Sequence, residues 1–503
     1  MTGLPAADDM LGSVDHVVLL MLENRSFDHM LGFLYAKEGN RSPSGDPFEG
    51  LTGNETNPGP EGRPLRVSAA SMTRPNLYYL PGSDPGEGYT ATNVQLFGNQ
   101  QGLGTPTNDG FVADYAYTLD WESGDPSWSV LPGTAPEDIM VMFTPEMLPI
   151  LSGLAKGFAV CDHWFASVPT ETLPNRAFAC AATSQGHMDD KTKTFTVPSI
   201  FGLLSSEAVS WAAYGYDNEP LVRFSFPDVT NAPENHFGLF ADFQAAAASG
   251  QLPAFCFLEP SWGADGNSQH PNYDVALGEK FIYDVYRALR DGPDWSKTLL
   301  VITYDEHGGC YDHVPPPYGA VPPDNSIGEY GFDFRRFGVR VPAVIVSPLI
   351  EAGTVFRVPP ASMPLDHTSV LKTVERRWSL PPLTARDAAA PDFGGVLTLA
   401  APRTDDPLAG TEPPPASPPS PSSQLPSHLL RVYAELASYL PGAGPGVAGA
   451  VAGGAVAGGA VAGGAGSGGA GGAGVMPALH TSADYVNYIR AKTAAWHAAR
   501  GDR

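Results

Sequence analysis

A strand-like run in the second half of this chain is followed immediately by side chains that could do chemistry. Residues 299–304 are apolar and partly β-branched, and Asp305, Glu306 and His307 come directly after them. Such a run is typical of a buried strand. Because open α/β sheets carry their ligands at the carboxyl ends of strands, the pattern predicts a polar site here. An ordinary solvated turn after a strand is the alternative, and the local sequence does not exclude it.

A second strand-like run, residues 15–22, ends before Glu23 and Asn24. Another candidate is Thr172, which stands just ahead of Pro174 at the predicted start of a helix. A hydroxyl in that place lies near the positive end of the helix dipole, which favours an alkoxide or a bound phosphate. The competing interpretation makes Thr172 a plain helix N-cap.

These groups share one property, because all of them offer oxygen ligands: Glu23, Asn24, Thr172, Asp305 and Glu306. Carboxylate, amide and hydroxyl oxygens suit hard cations, so the set predicts one divalent ion, with Ca²⁺, Mg²⁺ or Mn²⁺ favoured. Three histidines are available as acids, bases or phosphate contacts near it: His270, His307 and His367.

The elements that must position these residues alternate along the chain. Strands are predicted at residues 15–22, 158–161, 210–216, 254–258, 299–304 and 341–346, the last as a further parallel strand. Helices are predicted at residues 144–157, 177–183 (opened by Pro174), 275–289, 370–378, 429–440 and 482–500. This alternation predicts an α/β fold, a three-layer α/β/α sandwich with a mostly parallel central sheet. Residues 35–128 are rich in Gly, Pro, Asn and Asp and are predicted to be an irregular excursion over the site.

Composition changes after residue 400. We predict a catalytic domain at residues 1–400, a Pro-rich segment with a short helix at 401–441, a Gly/Ala-rich flexible linker at 442–475 and a C-terminal helix at 476–503. Because the linker lacks core-forming residues, removal of residues 442–503 is expected to leave the catalytic domain folded. The sequence leaves open whether the last helix docks on the body or on another subunit.

Charge and hydropathy exclude several classes of function. Lys and Arg total 29 against 54 Asp and Glu, a net charge of −25, which disfavours nucleic-acid binding. The four cysteines form no CxxC pair, so neither a zinc cluster nor a disulfide scaffold is indicated. No transmembrane segment or signal peptide is visible, which predicts a cytoplasmic protein, or a secreted one if a signal has been removed. Oligomeric state is not predicted.

Several motifs together resemble a known family, the bacterial phosphoesterases that include phosphatidylcholine-type phospholipase C and respiratory-burst-inhibiting acid phosphatases, within the alkaline phosphatase superfamily. The matching segments occur in the family's order and are residues 23–29, 172–176, 267–271, 304–317 and 366–369.

The resemblance implies a fold, an activity and a set of roles. It implies that Glu23, Asn24, Asp305 and Glu306 hold a metal ion together with Thr172, the nucleophile. Contacts to the substrate are expected from three residues: Asn24, His270 and His367. We also predict catalytic roles for His270 and His307. The expected reaction is hydrolysis of a phosphate ester, with a phospholipid as one candidate substrate.

One position departs from the family pattern. Related sequences often carry a histidine after Asp-Pro-Gly, whereas Glu87 follows Asp84, Pro85 and Gly86 here. Three interpretations stay open: a phospholipase C-type phosphodiesterase, an acid phosphatase that acts on phosphomonoesters, and a non-catalytic binding protein on the same fold. Retained charged groups at the site count against the third, because buried charges are costly without a ligand.

Overall fold

The computed structural model describes residues 10–125, 127–128, 130–191, 194–263, 265–271, 273–418, 425–440 and 476–501. The predicted Gly/Ala-rich linker at 442–475 lies outside the described residues. No helix of the described residues is long and apolar enough to cross a membrane.

An eight-stranded sheet organises the chain. Its strands are β1 (His16–Leu22), β6 (Ala159–Val160), β8 (Trp211–Gly215), β9 (Phe237–Leu239), β10 (Phe255–Glu259), β11 (Thr298–Tyr304), β12 (Ala343–Val346) and β13 (Thr354–Val355). Their spatial order is β13-β6-β12-β11-β1-β10-β8-β9. The shorter strands are β2 (Thr56–Pro58), β3 (Pro64–Arg66), β4 (Ser68–Ala69), β5 (Val141–Met142), β7 (Trp164–Phe165) and β14 (Leu365–Asp366). Both β1 and β11 are apolar runs buried along nearly their whole length, as expected for strands covered on both faces.

The α-helices of the described residues are α1 (Phe27–Leu31), α2 (Tyr89–Phe97), α3 (Phe111–Ser123), α4 (Pro149–Gly157), α5 (Thr172–Ala181), α6 (Ile200–Ser206), α7 (Val222–Ser225), α8 (Pro227–Thr230), α9 (Phe240–Ser249), α10 (Val275–Arg290), α11 (Thr368–Trp378), α12 (Ala385–Ala389), α13 (His428–Ser438) and α14 (Ser482–Arg500). Helices flank the sheet in two groups, one of α4, α9 and α10 and one of α5, α6, α11 and α12. The predicted α/β sandwich with a mostly parallel sheet is therefore confirmed.

Two details of the fold differ from the prediction. Strand β12 is antiparallel to β11, not parallel, with Thr303 opposite Ala343. A buried apolar run looks the same in either direction, so periodicity alone could not assign the direction. The excursion at residues 35–128 is also more regular than predicted, because α2 and α3 pack on each other within it.

The C-terminal helix α14 docks on the body. Its apolar side chains Tyr485, Ile489 and Trp496 are buried in the main hydrophobic core, and the ring of Trp496 lies 5.8 Å from that of Phe224. Helix α14 also packs on α13. The expectation that this tail is dispensable for folding does not agree with this packing.

Candidate active site

The two strands that carry the predicted site are direct neighbours in the sheet. Strands β1 and β11 are parallel, with Leu22 opposite Tyr304. The residues that follow the two strands therefore leave the sheet at the same edge. The backbone N–H of Asn24 donates to Oδ1 of Asp305 at 3.0 Å. The sequence-predicted pairing of these two strand ends is present in the structure.

Thr172 reaches this edge from helix α5, of which it is the first residue. Glu171 occupies the N-cap position. The backbone N–H of Leu173, which lies in the first turn and has no acceptor within the helix, donates to the carboxylate of Asp190 at 2.7 Å. The Thr172 hydroxyl donates instead to Oδ1 of Asn24 at 3.4 Å. The N-cap interpretation of Thr172 is therefore wrong, and the hydroxyl lies in the site rather than on its own helix.

Asp305 is held firmly by its neighbours. Nε of Arg176, one turn along α5 from Thr172, donates to Oδ2 of Asp305 at 2.9 Å. Arg176 also pairs with Glu259 at the end of β10, at 3.4 Å. All three side chains are buried, so α5 is fixed to the strand ends by an ion-pair network that also orients Asp305.

Buried carboxylate oxygens without hydrogen bonds mark where a cation would fit. Three such oxygens have no hydrogen bond of ordinary length and angle within the described residues: both carboxylate oxygens of Glu23 and Oε1 of Glu306. Burial raises the pKa of Glu23 to about 7, and burial together with Asp305 raises the pKa of Glu306 well above its usual value. Unpaired buried carboxylates are costly, and an ion coordinated by oxygen ligands would offset that cost. The donor set therefore fits the predicted metal ion.

The predicted ligand set is only partly assembled. Three groups of acidic and histidine side chains bring one ligand atom each to within 4.8 Å of one another in the described part of the chain, and Glu23, Asp305 and Glu306 are not among those groups. They share the edge of the sheet rather than a closed coordination shell.

The three predicted histidines have different surroundings. His307 is buried between Gln95, whose Oε1 lies 2.7 Å from Nε2, and Glu306, whose Oε2 lies 3.1 Å from Nδ1. Burial lowers the pKa of His307 to about 3, so the ring is neutral. His367 has Nε2 2.6 Å from the carbonyl oxygen of Asp305 and accepts from the Trp164 indole at 3.4 Å. In this structure both rings bind protein groups through both nitrogens, an arrangement that positions Asp305 and Glu306.

His270 differs from these two, because one nitrogen faces the site. Its Nδ1 lies 2.7 Å from the carbonyl oxygen of Pro271. Its Nε2 is buried, has no hydrogen bond within the described residues and lies 3.8 Å from Oδ1 of Asp84. Of the predicted histidines, His270 is thus the one whose free nitrogen faces other site residues.

Two further residues belong to the site, Glu87, which the sequence marks as a departure from the family pattern, and His428, which it does not mark. Glu87 accepts a hydrogen bond from Nδ2 of Asn24. His428, at the start of α13, lies 3.0 Å from Oδ2 of Asp190, the residue that caps α5. The departure from the Asp-Pro-Gly-His pattern pointed to Glu87, but no local signal marked a histidine 238 residues away from Asp190.

The charge on His428 follows from its neighbours. Burial lowers its pKa, but the bond to Asp190 and the charges of Glu171 and Asp84 outweigh burial and raise the pKa to about 9. His428 is therefore protonated at neutral pH. Burial, and then the nearby carboxylates of Asp84 and Glu306, raise the pKa of Glu87 well above its usual value.

A cleft of about 590 Å³ opens beside these residues. Its lining residues include Asp84, Glu87 and His428, and most of the others come from α2, α3 and the loop after α3, which form its wall. Aromatic rings of the wall include Tyr117 and Trp121, which are 74% and 50% exposed. The cleft thus joins an acidic end near Asn24 to an aromatic wall open to solvent.

His313 belongs to a structural cluster. Its Nδ1 lies 2.6 Å from Asp28, and Arg340 pairs with both Asp28 and Asp312 at 2.9 Å. Arg340 is fully buried and compensates the two carboxylates. This group already contains its cation, so it stabilises the loop after β11 and is not a metal site.

Comparison with known proteins gives consistent matches. The Phosphoesterase family matches residues 14–381. Non-specific phospholipase C6 of Arabidopsis thaliana is 37% identical over 414 residues, which cover 78% of this chain and 74% of the relative. Phospholipase C B of Mycobacterium tuberculosis (strain ATCC 25618 / H37Rv) is 29% identical over 441 residues, which cover 78% of this chain and 79% of the relative.

Solved structures are more distant. A protein in the alkaline phosphatase superfamily from Vibrio parahaemolyticus has a TM-score of 0.30 at 14% identity, over 50% of this chain and 65% of that one. The lipoteichoic acid synthase LtaP from Listeria monocytogenes has a TM-score of 0.31 at 12% identity, over 50% of this chain and 70% of that one.

Proposed function

Because this chain belongs to the Phosphoesterase family and is a hydrolase of phosphoric ester bonds, we propose that it cleaves phosphodiesters of the phospholipase C type. The reaction depends on a divalent metal ion and uses Thr172 as the nucleophile. The phospholipase C names of the plant and mycobacterial relatives support the substrate class.

One observation carries the nucleophile assignment. The Thr172 hydroxyl is buried, lies at the first position of α5 and bonds to Asn24 rather than to its own helix. At this place the helix dipole stabilises negative charge on Oγ1 and on an incoming phosphoryl group. The orphan carboxylate oxygens of Glu23 and Glu306 support a cation in the same region.

Each residue has a role in the proposed reaction. A cation bound by Glu23, Asn24, Thr172, Asp305 and Glu306 would lower the pKa of the hydroxyl and neutralise phosphoryl oxygens. Thr172 Oγ1 attacks phosphorus, the phosphorus–oxygen bond to the alcohol breaks, the hydroxyl proton passes to the departing alcohol oxygen, and a phosphothreonine that still carries the head group forms. Water then attacks phosphorus, the bond to Oγ1 breaks, Oγ1 takes a proton from that water, and the phosphomonoester leaves with Thr172 restored. His270, whose Nε2 points toward Asp84 at the edge of the cleft, contributes to binding the phosphoryl group, while His307 and His367 hold Glu306 and Asp305 in place.

The shape of the cleft supports a diester with a cationic head group. Carboxylates at its acidic end and the exposed rings of Tyr117 and Trp121 offer both charge and aromatic faces to a quaternary ammonium. A phosphomonoester would leave this wall without a contact. The phosphatase alternative therefore has less support from the site than the phosphodiesterase.

The test compares p-nitrophenylphosphorylcholine with p-nitrophenyl phosphate on purified, chelator-treated protein, with Ca²⁺, Mg²⁺ or Mn²⁺ added back separately. We expect turnover of the diester only with added metal and weaker turnover of the monoester. Preference for the monoester would favour the acid phosphatase. No turnover of either substrate or of phosphatidylcholine vesicles with any of these ions would favour the binding protein.

A further inference from the structure

Three side chains beside the proposed cation site form a tighter group than that site itself. Asp84, Glu87 and His270 each bring one ligand atom to within 4.8 Å of the others. Asp84 and His270 are 7% and 2% exposed, and Glu87 also accepts a hydrogen bond from Asn24. None of the three belongs to the set Glu23, Asn24, Thr172, Asp305 and Glu306.

The hydrogen bonding of His270 fixes its tautomer. A carbonyl oxygen only accepts, so the 2.7 Å contact with Pro271 requires the proton on Nδ1. Nε2 then presents a lone pair to the group. Histidine ligands of metal ions characteristically donate their other ring N–H to a carbonyl or carboxylate in this way.

The lone pair of His270 faces another acceptor. Oδ1 of Asp84 is 3.8 Å from Nε2, and neither atom has a hydrogen bond within the described residues, although both are buried. The separation is too long for a hydrogen bond even if the ring were doubly protonated. With the ring neutral, two buried acceptors face each other here, and a cation between them would satisfy both.

Local charge favours the same conclusion. The described cations that act on Asp84 from a distance bond elsewhere, because His428 pairs with Asp190 and the guanidinium groups of Arg25 and Arg431 donate to backbone carbonyls. Within the described residues, neither Asp84 nor Glu87 forms an ion pair with an arginine or a lysine, and a single ion in the oxygen-ligand site would face Glu23, Asp305 and Glu306 as well.

We propose that Asp84, Glu87 and His270 bind a second divalent cation of the Zn²⁺ type. One imidazole and two carboxylates are typical ligands of Zn²⁺, whereas the oxygen-only set suits harder ions. Three protein ligands leave a coordination position free toward the cleft. His270 then acts on a phosphoryl oxygen through this ion, and Glu87 joins the two sites through its bond to Asn24.

The experiment measures metal content rather than activity. Full-length protein is stripped with chelator, dialysed against Zn²⁺ together with Mn²⁺ and analysed by elemental mass spectrometry, and Co²⁺ is titrated in parallel with its visible absorption as readout. We expect about two metal ions per chain in the wild type, one of them zinc, and about one, with the zinc lost, in Asp84→Asn and His270→Gln. The visible Co²⁺ bands of nitrogen ligation should disappear in both variants.

Matched controls separate this proposal from the first site. Asp305→Asn should lose the other ion and keep the Co²⁺ bands, and thermal unfolding confirms that each variant is folded. One ion in the wild type that disappears only in Asp305→Asn would overturn the second site and leave the proposed function intact. One ion that disappears only in Asp84→Asn would support the second site and overturn the oxygen-ligand site. Absence of any bound ion overturns both.

Discussion

The side-chain amide of Asn24 donates from Nδ2 to the carboxylate of Glu87. Since Nδ2 is held there, the other end of the amide, Oδ1, must face the hydroxyl of Thr172. Glu87 thus fixes which atom of Asn24 is presented to the nucleophile. The residue at which this chain departs from the family pattern is therefore part of the site.

Thr172→Val is expected to remove nearly all turnover, because it deletes the attacking oxygen and keeps the side-chain shape. The loss should reach roughly 10³ or more in kcat. Thr172→Ser should retain much of the activity. Rapid quench and mass spectrometry of the Thr172 peptide check the phosphorylated intermediate, and an active valine variant without it would rule out covalent catalysis.

Glu23→Gln is expected to abolish activation by added metal without loss of folding. The substitution removes a buried carboxylate whose oxygens have no hydrogen bond of ordinary length and angle within the described residues, so the thermal midpoint of metal-free protein should stay equal or rise. Glu375→Gln is the matched control. Glu375 is also buried and has no hydrogen bond of ordinary length and angle within the described residues, but it lies in α11, two turns after the first residue of that helix, and is not one of the proposed ligands. Equal loss of activity in both variants would contradict the assignment of Glu23.

The ion pair of His428 with Asp190 should make stability fall at alkaline pH. The folded pKa of His428 is about 9, above the ordinary value of about 6.5, so the folded protein binds the proton more tightly. This stabilisation is fully present below about pH 6.5 and is lost as pH rises through 9. Thermal midpoints of metal-free wild type and His428→Gln should therefore converge as pH rises over this window. Parallel curves would show that the pair contributes nothing.

Trp496→Ala in α14 is expected to destabilise the protein by about 3–5 kcal/mol, because the ring is buried among core residues. Urea unfolding measures this change. Asn487→Ala, on the exposed side of the same helix, is the control and should have little effect. If both variants unfold at the same urea concentration as the wild type, α14 is not an integral part of the fold.

Local sequence determined the main strands and their polar ends. The apolar runs before Glu23 and Asp305 required buried strands, and the parallel sheet then placed both residues at one edge. Helices α10, α11, α13 and α14 were likewise predicted close to their observed bounds, because their apolar periodicity and caps are local signals.

Tertiary structure alone decided the contacts between distant segments. The bond of Asn24 to Glu87, the pairing of His428 with Asp190 and the antiparallel direction of β12 all depend on how loops and strands pack together. Periodicity reports only which side of an element is buried. It contains no information on which residue, tens or hundreds of positions away, completes the hydrogen bonds and charges of a buried group, because that partner is set by the packing of the whole core.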